Sequence, residues 1–223
     1  MKAIFDFDDT IFDAKRFKNE ALFTAFLSQK NEYAKVTSKQ VAKAYKEFRS
    51  QNDIFYINIF IDFVIKRLDL KEVDKELVMF AMSSKIERFV KEEYLSIFKK
   101  IGKANIFVLS KGEYNFQMFK ISLANIIDKV DSIKIVQGSK IDVILNHCNA
   151  WSPEEVIFVD DKVENFLLSE APQNLRQIFV GNYIKLSNSE KEILKKFNIS
   201  ICEKDSHLDK YFISSDFEKI RIA

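Results

Sequence analysis

The chain has few of the residues that interrupt regular secondary structure, with 4 glycines and 2 prolines among its 223 residues. This scarcity excludes a collagen-like or low-complexity chain, and a hydrophobic content of 47% excludes a disordered one. Cysteine is rare as well. Cys148 and Cys202 form no C-x-x-C pair and are too few for a disulfide scaffold, so a reducing cytoplasm suits them. We therefore expect a helix-rich globular protein of the cytoplasm.

An excess of one charge and a long apolar run are both absent. The 35 Lys and Arg residues stand against 33 Asp and Glu, which gives no electrostatic reason to expect nucleic acid as a partner. The most apolar window, residues 54–65, spans only 12 residues and contains Asn58 and Asp62, so it is too short to cross a bilayer. Acidic residues interrupt the apolar start of the chain, which argues against a secretory signal. We expect neither nucleic acid nor a membrane as partner, and nothing in the sequence indicates an oligomeric state.

The hydrophobic pattern changes after the first few residues. Residues 3–7 form a short apolar run around an aspartate, which fits a buried strand with a functional group at its end. Residues 15–100 contain no glycine or proline and repeat apolar positions at helical spacing, which predicts consecutive amphipathic helices. Thr37 and Gln40 have the spacing of a capping box, and Gly102 is expected to end the last of these helices.

Beyond residue 104, short apolar runs alternate with helical stretches. Four runs have the length of buried strands, at residues 105–110, 133–136, 155–161 and 177–181. Strands separated by helices imply right-handed crossovers and a parallel sheet. Because the first strand should join this sheet across the helical insert, the sequence predicts an α/β fold.

The predicted strands end in residues suited to one chemical task, and ligands of open α/β sheets bind at the carboxyl ends of strands. The carboxylate and hydroxyl residues at these ends are Asp6, Asp8, Asp9, Thr10, Ser110, Asp160 and Asp161. Crowded carboxylates repel one another unless a cation neutralises them, and Mg²⁺ prefers a ligand set made only of oxygen. A carboxylate beside such an ion can attack phosphorus. The pattern therefore predicts phosphoryl transfer with Mg²⁺ as cofactor.

Four motifs resemble, in the same order, those of the haloacid dehalogenase-like (HAD) superfamily. They are D-F-D-D-T at positions 6–10, Ser110 after an apolar strand, the downstream Lys140, and the acidic pair Asp160 and Asp161. A motif match needs its structural context, and here a predicted strand precedes the first motif.

The resemblance also implies an architecture. It implies a Rossmann-like parallel-sheet core formed by residues 1–14 and 101–223. Residues 15–100 would be a helical cap inserted after the first strand. Lys15, Arg16 and Lys18 would then lie where the cap leaves that strand, in a position to meet an anionic substrate.

The resemblance gives the first two aspartates different roles. Asp6 would be the nucleophile, forming an aspartyl-phosphate and contributing one oxygen to Mg²⁺. Asp8 would protonate the leaving group and then activate water, with its backbone carbonyl on the metal. A dehalogenase expels halide, which needs no proton, and does not use an acid at this position. Asp8 therefore favours a phosphomonoesterase acting on a small phosphorylated metabolite.

The resemblance also assigns the other motif residues. Lys140 would pair with Asp6 and the phosphate, while Asp160 and Asp161 would complete the metal shell. Four residues would bind the phosphate through hydroxyl groups or through backbone N–H groups at the start of the following helix: Thr10, Ser110, Lys111 and Gly112.

Several alternatives stay open at this stage. Lys134 and Lys129 lie near Lys140, which is preferred because it opens the helical stretch 141–146. Glu164 would be the further acid of the metal shell, unless that acid is missing. In function, a phosphotransferase such as a phosphomutase is one alternative to the phosphatase. A non-catalytic binding module that kept the fold is another, whereas a compact receiver-type domain does not suit the long helical insert.

Overall fold

The computed structural model describes residues 1–28, 36–70, 73–84, 86–169, 171–203 and 205–212. Its strands are β1 (Lys2–Phe5), β2 (Ile106–Lys111), β3 (Ser132–Val136), β4 (Val156–Asp160), β5 (Leu175–Val180) and β6 (Ser200–Cys202). All six pair in parallel, in the order β3-β2-β1-β4-β5-β6. The predicted α/β fold with a parallel, Rossmann-like sheet is therefore confirmed.

Helices flank this sheet. The α-helices of the described residues are α1 (Ala14–Phe17), α2 (Ser38–Gln51), α3 (Ile57–Arg67), α4 (Lys75–Ser83), α5 (Glu92–Ile101), α6 (Tyr114–Leu123), α7 (Ile141–Ala150) and α8 (Asn188–Lys196). Helices α1 to α5 lie between β1 and β2 in the chain, where the sequence predicts the helical insert. Each of these helices is too short or too polar to span a membrane. A location in the cytoplasm stays a prediction.

Alternate residues of the central strands face two different hydrophobic cores. Phe5 of β1 lies opposite Val108 of β2 and Val159 of β4, and all three belong to the core shared with the helices between β1 and β2. Their neighbour Ile4 belongs to a second core, which includes Ile144 of α7. A strand buried on both faces is apolar at every position, and this explains the continuous apolar runs of the sequence.

The helices between β1 and β2, which together form the helical region, begin and end largely where the sequence predicts. Thr37 and Gln40 form a complete capping box at the start of α2. Gly102 ends α5 with a positive φ of 84°, a backbone conformation that favours glycine. The apolar window at 54–65 becomes helical only from Ile57. One side of α3 is buried, and Phe60 on that side is completely inaccessible, whereas Ile59 is 54% exposed.

The helical region and the sheet share one continuous core. The ring of Phe5 in β1 lies 5.9 Å from that of Tyr94 and 5.3 Å from that of Phe98, both in α5. The division into a core domain of residues 1–14 and 101–223 and a cap of residues 15–100 remains a prediction. The sequence pattern does not predict β6, which has three residues and lies at the edge of the sheet beside β5.

Candidate active site

Three neighbouring strands bring the predicted site residues to one edge of the sheet. Asp6 directly follows β1, Ser110 lies near the end of β2, and Asp160 is the last residue of β4. The backbone N–H of Asp6 donates to the carbonyl of Val159 at 2.9 Å, so the pairing with β4 continues to this edge. Because β1 lies between β2 and β4, Asp6 occupies the centre of this edge.

Lys140 joins the ends of β1 and β4. Its ammonium group donates to one carboxylate oxygen of Asp6 and, at 2.8 Å, to Oδ2 of Asp160. The Lys140 side chain is only 1% exposed, and the two carboxylates raise its pKa to about 12 although burial works in the opposite direction. The alternatives lie elsewhere, since Lys134 is exposed on β3 and the amine of Lys129 bonds the carbonyl of Asn125.

Three carboxylates form a cluster with the geometry of a metal site. Asp6, Asp160 and Asp161 each offer one oxygen, and these oxygens lie within 4.8 Å of one another. Burial raises the pKa of Asp6 to about 7, with a further increase from Asp160 that Lys140 partly offsets. Burial and the charges of Asp6 and Asp160 raise the pKa of Asp161 to about 8. A divalent cation would relieve this repulsion.

The donor set also fits a hard metal ion. One carboxylate oxygen of Asp161, Oδ1, is buried and has no hydrogen-bond partner among the described residues. Asp160 is fixed from a second side, because Asn165 donates to both of its oxygens at 2.9 and 3.0 Å. An all-oxygen set that is already oriented and partly unpaired is what Mg²⁺ requires. These residues therefore fit the ion that the sequence predicts.

Asp8 has different partners. Its carboxylate forms a salt bridge with the ammonium of Lys120, with 2.6 Å between Nζ and Oδ2, and Gln117 donates to the same oxygen at 2.8 Å. Burial alone would raise the pKa of Asp8, but the charge and the hydrogen bonds of Lys120 and Gln117 outweigh it, so the pKa lies below its ordinary value. These contacts therefore favour the ionised form of Asp8.

Sequence reasoning missed both partners of Asp8. Lys120 and Gln117 lie three residues apart on α6, so they share one face of that helix, and both are buried. The available signal was two polar residues at helical spacing among the apolar residues that follow Ser110. A buried lysine needs an opposite charge nearby, and that requirement points to an acidic partner.

Two predicted phosphate-binding hydroxyls of the described residues have no hydrogen-bond partner. The hydroxyl oxygens of Thr10 and Ser110 are both buried and have no hydrogen-bond partner within the described ranges. Buried polar groups are nearly always paired in native proteins, so this pair of orphans points to a ligand that completes them. Ser110 does not cap the following helix, because Glu113 does so.

Some backbone N–H groups after Ser110 are already bonded within the protein, and phosphate binding by Lys111 and Gly112 stays a prediction. The resemblance implies phosphate binding by N–H groups at the start of α6, but Glu113 accepts hydrogen bonds from the N–H groups of Asn115 and Phe116. The N–H of Gly112 donates to the carbonyl of Val136 at 2.9 Å, which extends the pairing between β2 and β3. These donors are therefore satisfied within the protein, and Lys111 is exposed at the cavity.

Local bonds hold the loop after β1 in place. Asp9 has a positive φ of 61°, and its side chain accepts a hydrogen bond from the N–H of Lys15 at 3.0 Å. The Lys91 amine donates to the carbonyl of Asp9 at 2.8 Å, which ties the loop to the start of α5. Asp9 thus shapes the turn between Asp6 and the helical region, and it is not among the three clustered carboxylates.

A cavity of about 470 Å³ opens beside Asp8. Its wall includes Lys120 and Gln117 from α6 and, from the helical region, Lys18, Tyr45 and Arg49. Of the basic run that the sequence singled out, Lys18 therefore faces the cavity, whereas the guanidinium of Arg16 pairs with Glu20 at 2.8 Å. The volume suits a small metabolite.

No protein-family model and no curated protein sequence matches the chain. Solved structures do match it. One described as a haloacid dehalogenase-like hydrolase, from Burkholderia xenovorans LB400, is 17% identical over 97% of this chain and 96% of its own, with a TM-score of 0.61. One described as a β-phosphoglucomutase, from Thermotoga maritima, is 11% identical over 95% and 98%, with a TM-score of 0.62. L-2-haloacid dehalogenase from Xanthobacter autotrophicus is 12% identical over 96% and 98%, with a TM-score of 0.53.

The chain has the haloacid dehalogenase-like fold. These similarities concern the fold, and one fold hosts several chemistries, so the reaction depends on the particular residues of the site. Within this fold, Glu164 is exposed and lines the cavity, and it does not belong to the carboxylate cluster. The neighbouring Asn165 instead orients Asp160.

Proposed function

We propose that the protein is a Mg²⁺-dependent phosphatase that hydrolyses a small phosphorylated metabolite through an aspartyl-phosphate on Asp6. The observation that carries this proposal is the position of the Asp6 carboxylate. It is shared between a buried lysine and a metal-type carboxylate cluster, and two further motif residues, Thr10 and Ser110, have buried hydroxyls without a partner among the described residues. Such a site offers a nucleophile, positive charge and donors for phosphoryl oxygens at one point.

In the first step, an oxygen of Asp6 would form a bond to phosphorus while the ester bond to the leaving oxygen breaks. Lys140, already in contact with Asp6, would neutralise charge on the phosphoryl group. The hydroxyls of Thr10 and Ser110 would donate to its oxygens. The metal would be held by the three clustered carboxylates and the Asp8 carbonyl, and it would supply further neutralisation of the phosphate charge.

In the second step, water would attack the phosphorus of the intermediate and release Asp6. The carboxylate of Asp8 would accept the proton of that water, and the lowered pKa of Asp8 favours the charged form that this step needs. The resemblance also gives Asp8 the protonation of the leaving group. A halide leaving group needs no proton, so an acid at this position favours a phosphatase over a dehalogenase.

Release of inorganic phosphate from a panel of phosphorylated metabolites and from p-nitrophenyl phosphate, with and without Mg²⁺, tests the proposal. We expect turnover that requires Mg²⁺ and that Asp6→Asn abolishes while the protein still folds. Asp128→Asn is the matched control, since Asp128 is an exposed aspartate on the short helical turn Ile127–Lys129. Full activity of Asp6→Asn would reject the nucleophile, and isomer formation without phosphate release would indicate a phosphomutase.

A further inference from the structure

Lys120 is a buried charged residue that does not belong to the carboxylate cluster. Its side chain is 4% exposed in the middle of α6, and its ammonium group contacts both carboxylate oxygens of Asp8. Burying a lysine is costly unless its charge is paired, and a buried pair gives little stability compared with apolar residues of similar size. The position of this pair, at the wall of the cavity, therefore suggests a role beyond stability.

Aromatic rings surround the ammonium group of Lys120. It lies 5.6 Å from the ring centre of Phe7, 5.7 Å from that of Phe12 and 5.0 Å from that of Phe116. The faces of such rings attract a cation and hold it without competing hydrogen bonds. Among the described residues, Lys120 forms its ion pair with the carboxylate of Asp8.

Gln117 acts on the same carboxylate from one turn earlier in α6. Its amide nitrogen donates to Oδ2 of Asp8 at 2.8 Å and to the carbonyl of Lys111 at 3.1 Å. A Cβ atom on Gly112 would lie 2.7 Å from that nitrogen, which is too close for a normal contact. The glycine at this position therefore leaves space for the Gln117 side chain. Two donors from one helix face thus fix the orientation of Asp8.

We propose that Lys120 is a positioning residue, which holds the Asp8 carboxylate at the cavity wall in the orientation that accepts a proton from the attacking water. This inference rests on the proposed function. About a quarter of the Asp8 side chain stays exposed, so the carboxylate remains accessible from the cavity while both of its oxygens are anchored. Anchoring of this kind matters because small displacements of a catalytic group cost large factors in rate.

The kinetics of Lys120→Met on p-nitrophenyl phosphate test the inference. This ester needs no proton on its leaving group, so kcat/KM reports formation of the aspartyl-phosphate and kcat also contains its hydrolysis. We expect kcat to fall about tenfold or more and KM to fall with it. The value of kcat/KM should stay within about threefold of wild type. Rapid mixing should show a burst of about one p-nitrophenol per enzyme before slow turnover.

Three further variants separate positioning from general stability. Lys195→Met, an exposed lysine of α8, should behave as wild type. Lys120→Arg should recover part of kcat because it keeps the charge. Adding Lys120→Met to Asp8→Asn should lower kcat no further, since the proposed effect passes through Asp8. Should Lys120→Met fail to fold, Gln117→Met removes the other donor to Asp8 and carries the same expectation.

Two outcomes would overturn the inference while leaving the proposed function intact. One is an equal fall in kcat and kcat/KM without a burst in a Lys120→Met protein that folds, because that pattern places the effect in formation of the aspartyl-phosphate and not in the attack of water. The other is unchanged kinetics in both Lys120→Met and Gln117→Met. If the wild-type protein hydrolyses no phosphate ester with Mg²⁺, the proposed function itself fails, and that result is distinct from either.

Discussion

Removal of divalent cations should make the stability of the protein depend on pH in an unusual direction. The pKa of Asp6 is raised to about 7 by burial and by Asp160, and that of Asp161 to about 8 by burial and by both neighbouring carboxylates. In EDTA the folded state would therefore hold protons that the unfolded chain has lost. Stability falls as pH rises wherever the folded state binds more protons.

The magnitude follows from the size of the shift. Each such group loses about 1.4 kcal/mol per pH unit between its unfolded and folded pKa. Asp6 alone should thus lower the free energy of unfolding by about 3 kcal/mol between pH 5 and pH 7. For a domain of this size, that corresponds to a fall in Tm of about 6–12 °C. Asp161 is partly exposed and should add a smaller amount.

Thermal unfolding by circular dichroism at pH 5 and pH 7, in EDTA and in excess MgCl₂, measures this dependence. Because Mg²⁺ would stabilise the ionised carboxylates, we expect it to raise Tm at pH 7 far more than at pH 5. Asp161→Asn should reduce the Mg²⁺ effect. A Tm in EDTA that is flat or rises between the two pH values would refute the reasoning, as would a Mg²⁺ effect that Asp161→Asn leaves unchanged.

Three substitutions test other parts of the site. Lys140→Met leaves buried carboxylates unpaired, so it should cost about 3–5 kcal/mol in denaturant unfolding without Mg²⁺ and should remove turnover. Gly112→Ala places a Cβ 2.7 Å from the amide nitrogen of Gln117 at a φ of +152°, so it should lower the free energy of unfolding by about 1–3 kcal/mol. Gly138→Ala, with open space around it, should be nearly neutral. Equal effects of the two substitutions would contradict the packing argument. Thr10→Val removes an unpaired buried hydroxyl, so it should keep stability within about 1 kcal/mol while raising KM. A wild-type KM for Thr10→Val would remove that hydroxyl from the phosphate site.

The sequence predicts those parts of the fold that depend on local pattern. Strands buried on both faces produce continuous apolar runs, and the runs around Phe5, Val108 and Val159 all form strands of one sheet. Parallel strands place their carboxyl ends at one edge, so Asp6 and Asp160 could be expected to meet. The short edge strand β6 has no comparable run and could not be predicted.

The partners of Asp8 depend on tertiary packing. Lys120 is separated from Asp8 by 112 positions in the chain, and no local sequence pattern predicts that its face of α6 packs against Asp8. The same holds for Glu113. Its carboxylate accepts hydrogen bonds from the N–H groups of Asn115 and Phe116 because its backbone adopts the extended conformation of an N-cap. A sequence motif identifies residues with intrinsic chemistry, whereas the residues that orient them become visible only when the helix is packed on the sheet.

The most direct test of the central claim is to find the covalent intermediate. Asp8→Asn should slow its hydrolysis, so this variant is mixed with Mg²⁺ and p-nitrophenyl phosphate, quenched in acid and digested for peptide mass spectrometry. We predict one phosphoryl group on the peptide that contains Asp6, and none when Asp6→Asn is added. A phosphoryl group on another residue, or p-nitrophenol release without any phosphorylated peptide, would contradict the account.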